Sequence, residues 1–100
     1  MKFSEISAKG LARCLAAPGV VPDKLRFHIT EVEPNNRSHA AHTHEGVEMF
    51  YGLEGQATVE VEEEHYPLGP NEAIVIDASR PHGIFNNSSA RVRYMVIITK

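Results

Sequence analysis

Apolar and polar residues alternate along most of the chain with the period of a β-strand that has one buried face. The alternation is clearest in segments where every second residue is apolar: 25–30, 57–62 and 91–99. Segments rich in turn-forming residues separate the predicted strands: 34–36, 54–55, 69–71, 77–81 and 86–89. Short strands at this spacing, with few helix signals, predict an all-β fold built as an antiparallel sandwich or a small barrel.

Individual segments add detail to this prediction. In the first strand Leu25, Phe27 and Ile29 alternate with more polar residues. A second strand is predicted over 48–53, and the acidic run 62–64 predicts a solvated hairpin tip. The continuous apolar run 73–76 is typical of a strand that is covered on both faces.

The last predicted strand has two different faces. Val92, Tyr94, Val96 and Ile98 form an apolar face that we expect to line the core. The opposite face is apolar only in its later half, at Met95 and Ile97. We expect this half to be covered by the amino-terminal segment or by a second subunit, so a homodimer is predicted.

The chain length indicates one domain, since 100 residues and 11.1 kDa provide a single core. We expect residues 25–100 to form the barrel and residues 1–24 to form an irregular arm or an edge strand. Ile6, Leu11 and Leu15 are spaced for one side of a short helix, but Gly10 and the pair Pro18-Gly19 disfavour it.

Charge and composition exclude some partners. Ten basic and thirteen acidic residues give a net charge of −3, without the basic stripe that nucleic-acid binding requires. The chain lacks an apolar run long enough to cross a bilayer and an amino-terminal signal-peptide pattern. The single Cys14 excludes an intramolecular disulfide. We therefore expect a cytoplasmic protein that binds neither nucleic acid nor membrane.

The strongest chemical signal is a group of potential metal ligands. His42, His44 and Glu48 lie within seven residues, and His82 follows the predicted turn at 77–81. On a helix His42 and His44 would diverge, and Gly46 and Val47 are poor helix residues. On a strand the two imidazoles share a face, about 6.6 Å apart at Cα. Glu48 would then lie about 13 Å beyond His44, so a shared metal requires a bend, which we place at Gly46.

The spacing also allows a reading without a metal. A histidine pair at the end of a strand is often exposed, and most glutamates are solvated. His39 has the opposite parity to His42 and His44, so we expect it in solvent. We expect His28 and His65 to be structural or exposed.

The spacing of these residues resembles the first motif of the cupin family, HxHx3Ex6G. His42, His44, Glu48 and Gly55 stand at its fixed positions, and Asn36 replaces its leading glycine. The segment 71–86 resembles the second motif, Gx5PxGx2Hx3N. His82 and Asn86 keep its histidine and asparagine, whereas three other positions differ: Asn71, Asp77 and Ser79.

The resemblance implies a single cupin domain over residues 1–100, folded as an antiparallel double-sheet β-barrel of the jelly-roll type. It also implies a divalent transition metal inside the barrel, held by the four ligands His42, His44, Glu48 and His82. Zinc, iron, manganese, nickel and copper all suit imidazole and carboxylate ligands, so the metal is not identified.

Such a metal centre favours a small anionic or chelating organic ligand. The reactions expected are isomerase- or lyase-type Lewis-acid chemistry, or a dioxygenase reaction if the metal is iron. The alternative is a non-catalytic module that binds a small ligand or a metal. Glu48 is assigned the catalytic role, and parity or charge selects the predicted substrate-binding residues: Phe50, Ile84, Asn86, Tyr94 and Arg93. Arg26 is a further candidate for an anionic substrate.

Overall fold

Nine strands and one short 3-10 turn make up the protein, and the computed structural model describes residues 1–100 in full. The strands are β1 (Ser4–Glu5), β2 (Leu15–Ala16), β3 (Leu25–Val32), β4 (Val47–Glu54), β5 (Ala57–Val61), β6 (Glu64–Leu68), β7 (Ala73–Asp77), β8 (His82–Phe85) and β9 (Val92–Thr99). The 3-10 turn spans Pro22–Lys24. There is no α-helix, and consequently no helix with the length and hydrophobicity of a membrane span.

Two antiparallel sheets enclose the core. One sheet has the strand order β3-β9-β4-β7 and the other has the order β6-β5-β8. Apolar side chains from both inner faces form one cluster: Val32, Phe50, Ala57, Val59, Val61, Leu68, Ile76, Ile84, Val92, Tyr94 and Val96. The predicted all-β, double-sheet jelly-roll fold is confirmed.

The register between β3 and β9 decides which face of β3 points inward. Val32 pairs with Val92 and Thr30 pairs with Tyr94, and all four side chains are buried. The apolar residues Phe27 and Ile29 therefore face outward, and the more polar residues of β3 face the interior. Polar side chains of β3 therefore face the interior of the barrel. The alternation of residues along β3 predicts the opposite, because its apolar residues are on the other face.

Strand β7 differs from its prediction. It pairs only with β4, so it is an edge strand of the larger sheet. Its inward residue Ile76 is buried, but its outward residue Val75 is 63% exposed. Within one chain the predicted covering of both faces is therefore not observed, because no other part of the chain packs over the outer face of this edge.

The amino-terminal segment runs along the other edge of the same sheet. Strands β1 and β2 pair as a small two-stranded sheet. Between them the Lys9 carbonyl accepts a hydrogen bond of 2.8 Å from the Ile29 amide on β3. The free edge of β3 is thereby partly covered by the chain's own arm.

Candidate metal centre

Glu48 reaches the interior from the second position of β4. It belongs to the inward-facing set of that strand, together with the buried Phe50, and its exposure is 3%. In the sheet register Glu48 lies beside Ile76 on one side and Ile98 on the other. A carboxylate in such apolar surroundings requires a partner that offsets its loss of hydration.

His82 approaches Glu48 from the opposite sheet. It begins β8, faces inward beside Val61 and has 0% exposure. Its Nδ1 donates a 2.8 Å hydrogen bond to the Arg80 carbonyl, so the lone pair of Nε2 is free. That Nε2 atom is buried without a hydrogen-bond partner and lies 3.4 Å from Glu48 Oε1.

His42 and His44 lie in an irregular segment rather than on a regular strand, which differs from the simple strand prediction. The backbone of His42 pairs with that of His82 through two hydrogen bonds of 3.0 Å, as an isolated antiparallel bridge. The His44 amide donates to the Ala78 carbonyl at 2.9 Å. The segment is therefore held by the turn and strand that carry His82, which brings the two halves of the cluster together.

The bend between His44 and Glu48 lies at Gly46, as predicted. Gly46 has φ +98°, in the region that disfavours residues with a Cβ atom. Its carbonyl accepts a hydrogen bond of 3.1 Å from the Ala78 amide. A Cβ atom at this position would lie 2.0 Å from the Thr99 carbonyl oxygen on β9. Only glycine permits both the turn and this close approach to the sheet.

The four side chains converge on one point. One ligand atom from each of His42, His44, Glu48 and His82 lies within 4.8 Å of the others. Glu48 Oε1 is 2.8 Å from His44 Nε2, and the ring centroids of the three histidines are 4.9, 5.0 and 5.3 Å apart. The convergence predicted from the motif spacing is thus observed.

These distances fit the coordination of a divalent cation. With metal–ligand bonds of about 2.1 Å, neighbouring ligand atoms at right angles lie about 3.0 Å apart and opposite ones about 4.2 Å apart. The Glu48 contacts of 2.8 and 3.4 Å match the first spacing, and the 4.8 Å limit exceeds the second by a few tenths of an ångström. The unpartnered Nε2 of His82 is also available to a ligand of this kind. The donor set therefore fits a metal.

Hydrogen bonds fix the ring nitrogens that point at the centre. His44 Nδ1 contacts the Glu45 carbonyl at 2.9 Å, as His82 Nδ1 contacts the Arg80 carbonyl. Each ring is thereby oriented with Nε2 towards the cluster. Burial lowers the pKa of His42, with further lowering by the neighbouring His39, so its imidazole is unprotonated at neutral pH.

Hydrogen bonds form a turn in the loop before His82, at positions where the second motif is substituted. Asp77 Oδ1 accepts hydrogen bonds from the Ser79 amide at 3.0 Å and from its hydroxyl at 2.7 Å. This Asx turn takes the place of the motif's proline as the rigid element of the loop. Asn71 adopts the left-handed conformation expected of it, with φ 61°, whereas in the first motif the left-handed residue is Asn35 rather than Asn36.

The predicted substrate-binding residues divide into two groups. Phe50, Ile84 and Tyr94 lie on the inner faces of the barrel and are nearly inaccessible. Burial raises the pKa of Tyr94, so its phenol is a neutral hydrogen-bond donor. These three side chains form the packed floor beneath the cluster.

The structure does not bring Asn86 and Arg93 to the cluster. Asn86 Nδ2 donates to the carbonyls of Val32 and Ala90, and its Oδ1 accepts from Ser88, so its polar atoms are already occupied by backbone and loop. Arg93 lies on the outer face of β9, where it pairs with Glu31 at 3.5 Å. Strand alternation explains the position of Arg93, because its sequence neighbours Val92 and Tyr94 are the residues of β9 that face the core.

Two residues of β3 were missed as site residues or weighed only weakly from the sequence: Arg26, which is exposed, and His28, which is half-buried. Arg26 and His28 share the inward parity of Thr30 and Val32. Burial lowers the pKa of His28, and the positive charge of Lys9 lowers it further. Their orientation follows from the pairing of β3 with β9, whose inner face is clearly apolar in the sequence. The sequence of β3 alone does not indicate this orientation.

A cleft opens above the cluster. Its volume is about 570 Å³. It is lined by Arg26, His42, Thr43, His44, Glu45, Ile98 and Lys100. Two of the four converging residues thus form part of its wall, and a small molecule entering the cleft would meet them directly.

Comparisons with known proteins agree with this architecture. A crystal structure from Thermus thermophilus shares 26% identity with a TM-score of 0.71, over 98% of this chain and 83% of that one. A cupin 2 conserved barrel domain protein from Salinispora arenicola has a TM-score of 0.71 at 13% identity, over 99% of this chain and 75% of that one.

A crystal structure described as a putative sugar phosphate isomerase from Acidithiobacillus ferrooxidans shares 25% identity and a TM-score of 0.66. The match covers 77% of this chain but only 51% of that protein. No curated protein matches the sequence significantly. The sequence profile described as Cupin domain matches residues 28–98, which contain the entire cluster. The chain therefore belongs to the cupin family.

Proposed function

We propose that His42, His44, Glu48 and His82 bind one divalent transition metal and that the centre catalyses proton-shifting reactions of small anionic or chelating compounds, of the isomerase or lyase type. The observation that carries the proposal is the buried, unpartnered Nε2 of His82, 3.4 Å from a carboxylate oxygen that also contacts His44. A buried polar atom without a partner is costly in free energy. A metal ligand role accounts for that cost.

The protein's own residues would divide the work. When bound, a divalent cation supplies Lewis-acid polarisation of a substrate oxygen. Three imidazoles and one carboxylate would hold it, from His42, His44, His82 and Glu48. Glu48 contacts the histidines through Oε1, so Oε2 is the atom at which its predicted catalytic role would be exercised.

His28 is the proposed proton acceptor. It lies on the inner face of β3, in the cross-strand row that follows the row of Glu48. It lines an adjoining opening that shares Arg26 and Ile98 with the cleft above the cluster. Its lowered pKa keeps the imidazole neutral at pH 7, so a ring nitrogen can accept a proton from the carbon beside a substrate carbonyl and return it to a neighbouring carbon. The similarity to a putative sugar phosphate isomerase supports this class of reaction over oxygenation.

The proposal predicts metal-dependent hydrogen exchange. Metal-loaded protein in D₂O is expected to incorporate deuterium beside the carbonyl of at least one of fructose 6-phosphate, ribose 5-phosphate and 2-oxoglutarate, measured by proton NMR. A general base contributes about 10²–10⁴-fold. We therefore expect His28→Gln to lower exchange by roughly 100-fold at unchanged metal content.

The matched control is His65→Gln, which alters an exposed histidine on the opposite sheet and should leave exchange unchanged. Oxygen consumption without exchange would overturn the proposal in favour of a dioxygenase. Bound metal without exchange or oxygen consumption would overturn it in favour of a non-catalytic binding module.

We also propose that the protein is a homodimer formed through the outer face of the larger sheet. Phe27, Ile97, Met49 and Val75 form one apolar row across all four strands, since each pairs with the next. A continuous apolar stripe of this kind is typical of an interface, and a two-fold axis would pair it with itself. A second copy is the occupant that the stripe's self-complementarity favours.

Light scattering at micromolar concentration is expected to give twice the chain mass of 11.1 kDa. Val75→Asp should shift the protein to the monomer, because it places a charge in the apolar interface. Val21→Asp alters a similarly exposed valine of the arm and should leave the dimer intact. A monomer for the unaltered protein would contradict this arrangement.

A further inference from the structure

We propose that Arg26 and Lys100 form an anion-binding subsite at the mouth of the metal centre, so that the ligand carries a second anionic group, a carboxylate or a phosphate, besides the group that meets the metal. The inference rests on the proposed function, because it assigns the remote half of the ligand for that same site. The subsite would narrow the expected ligands from small anions in general to those with two anionic groups.

The register of the larger sheet places Arg26 on the correct side of the barrel. Arg26 pairs with Ile98, and Ile98 pairs with Glu48, so all three lie in one inward-facing row. With one strand between them, the Cα atoms of Arg26 and Glu48 are separated by about 9.6 Å. A long side chain at this distance faces the metal ligands across the cleft without occupying their position.

Lys100 extends the same wall. It directly follows Thr99, the last residue of β9, and its amide donates to the Lys24 carbonyl at 3.2 Å beside the start of β3. Arg26 and Lys100 line the cleft together with His42 and His44. The two positive charges and the metal ligands thus border one continuous space.

The charges of this pair are not neutralised within the chain. Arg37, Arg80, Arg91 and Arg93 each form an ion pair with a glutamate. Arg26 and Lys100 form no side-chain ion pair, and Glu45 is the only acidic side chain among the residues that line the cleft. The guanidinium of Arg26 is therefore available to an anion, and a metal bound by only one carboxylate would add positive charge beside it.

A guanidinium beside an open cleft is suited to carboxylate and phosphate, because it presents planar, paired donors to both. A monoanionic chelator would contact the metal centre alone. A dianion of a few carbon atoms would reach Arg26 as well. The difference in affinity between matched monoanions and dianions is therefore the property that this subsite controls.

Calorimetric titration of the cobalt-loaded protein tests the inference with three 2-hydroxy acids. Lactate has one carboxylate, malate adds a second, and 3-phosphoglycerate adds a phosphate. Malate or 3-phosphoglycerate should bind roughly 10-fold more tightly than lactate, and Arg26→Ala should abolish that preference while changing lactate affinity less than about twofold. Lys100→Ala should reduce the preference by a smaller factor.

Arg13→Ala is the matched control, since Arg13 is an exposed arm residue that also forms no ion pair, and it should keep the full preference. Equal affinity for all three acids, or a preference that survives in Arg26→Ala, would overturn the proposed subsite. If the protein still binds one cobalt per chain in that case, the proposed metal centre is not contradicted. Failure to bind cobalt before any acid is added would instead refute the proposed function. The preferred dianion distinguishes carboxylate from phosphate.

Discussion

Replacing His82 with alanine is expected to reduce metal affinity by at least about 100-fold. When protein is loaded with one equivalent of metal and then dialysed, the unaltered protein should keep nearly one metal per chain. The variant should keep only a small fraction of that amount. Even changes to groups that merely orient a metal ligand typically cost 10- to 100-fold in affinity. His82 is itself a proposed ligand, and it is the one that the second sheet contributes. Elemental analysis after dialysis measures the content.

The physical reason is that burial and a hydrogen bond fix the His82 side chain with its Nε2 directed at the cluster. The side chain has 0% exposure, and its Nδ1 is held by the Arg80 carbonyl. Because the side chain is fully buried, no other side chain of the protein can take the place of its Nε2 atom. Three candidate ligands would remain, of which His42 is exposed, so the cation would lose its fully buried imidazole.

Thermal unfolding provides a second readout of the same substitution. A metal that binds only the folded state stabilises it by about 2.7 kcal/mol at a concentration 100 times its Kd. That metal-dependent increase in Tm should be present in the unaltered protein and absent in His82→Ala. The comparison is made within each variant, so any loss of packing caused by the substitution itself does not affect it.

His65→Ala is the control, because its imidazole lies on the outer face of the smaller sheet and is more than half exposed. It should keep both the metal content and the metal-dependent stabilisation. Full metal content in His82→Ala would show that the four side chains do not act as one site.

Much of this site follows from residue spacing, because spacing records the local geometry of the chain. The parity of His42 and His44 and the distance to Glu48 together require a bend, and Gly46 provides it with φ +98°. The need for a fourth ligand after a turn is likewise met by His82. The convergence of the four side chains was predictable because their positions depend on short stretches of backbone and on motifs that preserve them.

The rest depends on pairing between distant strands. Arg26 and His28 face inward because β3 is in register with β9, at the far end of the chain, and their own alternation indicates the opposite face as apolar. Arg93 fails as a site residue for the same reason, since the register that buries Tyr94 turns Arg93 towards Glu31. Alternation identifies the two faces of a strand, but the partner strand decides which face is inside.

Replacing Gly46 with alanine is expected to destabilise the fold by at least about 3 kcal/mol and to weaken metal binding. A left-handed conformation costs a residue with a Cβ atom about 1–2 kcal/mol. The larger penalty comes from the contact, because the new Cβ would lie 2.0 Å from the Thr99 carbonyl oxygen and 3.1 Å from its carbon. Both atoms are backbone, so no side-chain rotation relieves the clash.

The chain offers a matched control that separates these two costs. Gly19 has a similar φ of +81°, but a Cβ there would meet no atom within 4 Å. Gly19→Ala should therefore cost only about 1–2 kcal/mol, from the backbone conformation alone. Chemical denaturation of the metal-free proteins measures both variants, and equal losses would show that the Thr99 contact relaxes freely. A larger loss in Gly46→Ala, accompanied by weaker metal binding, would show that the turn joining His44 to Glu48 is held by the end of β9.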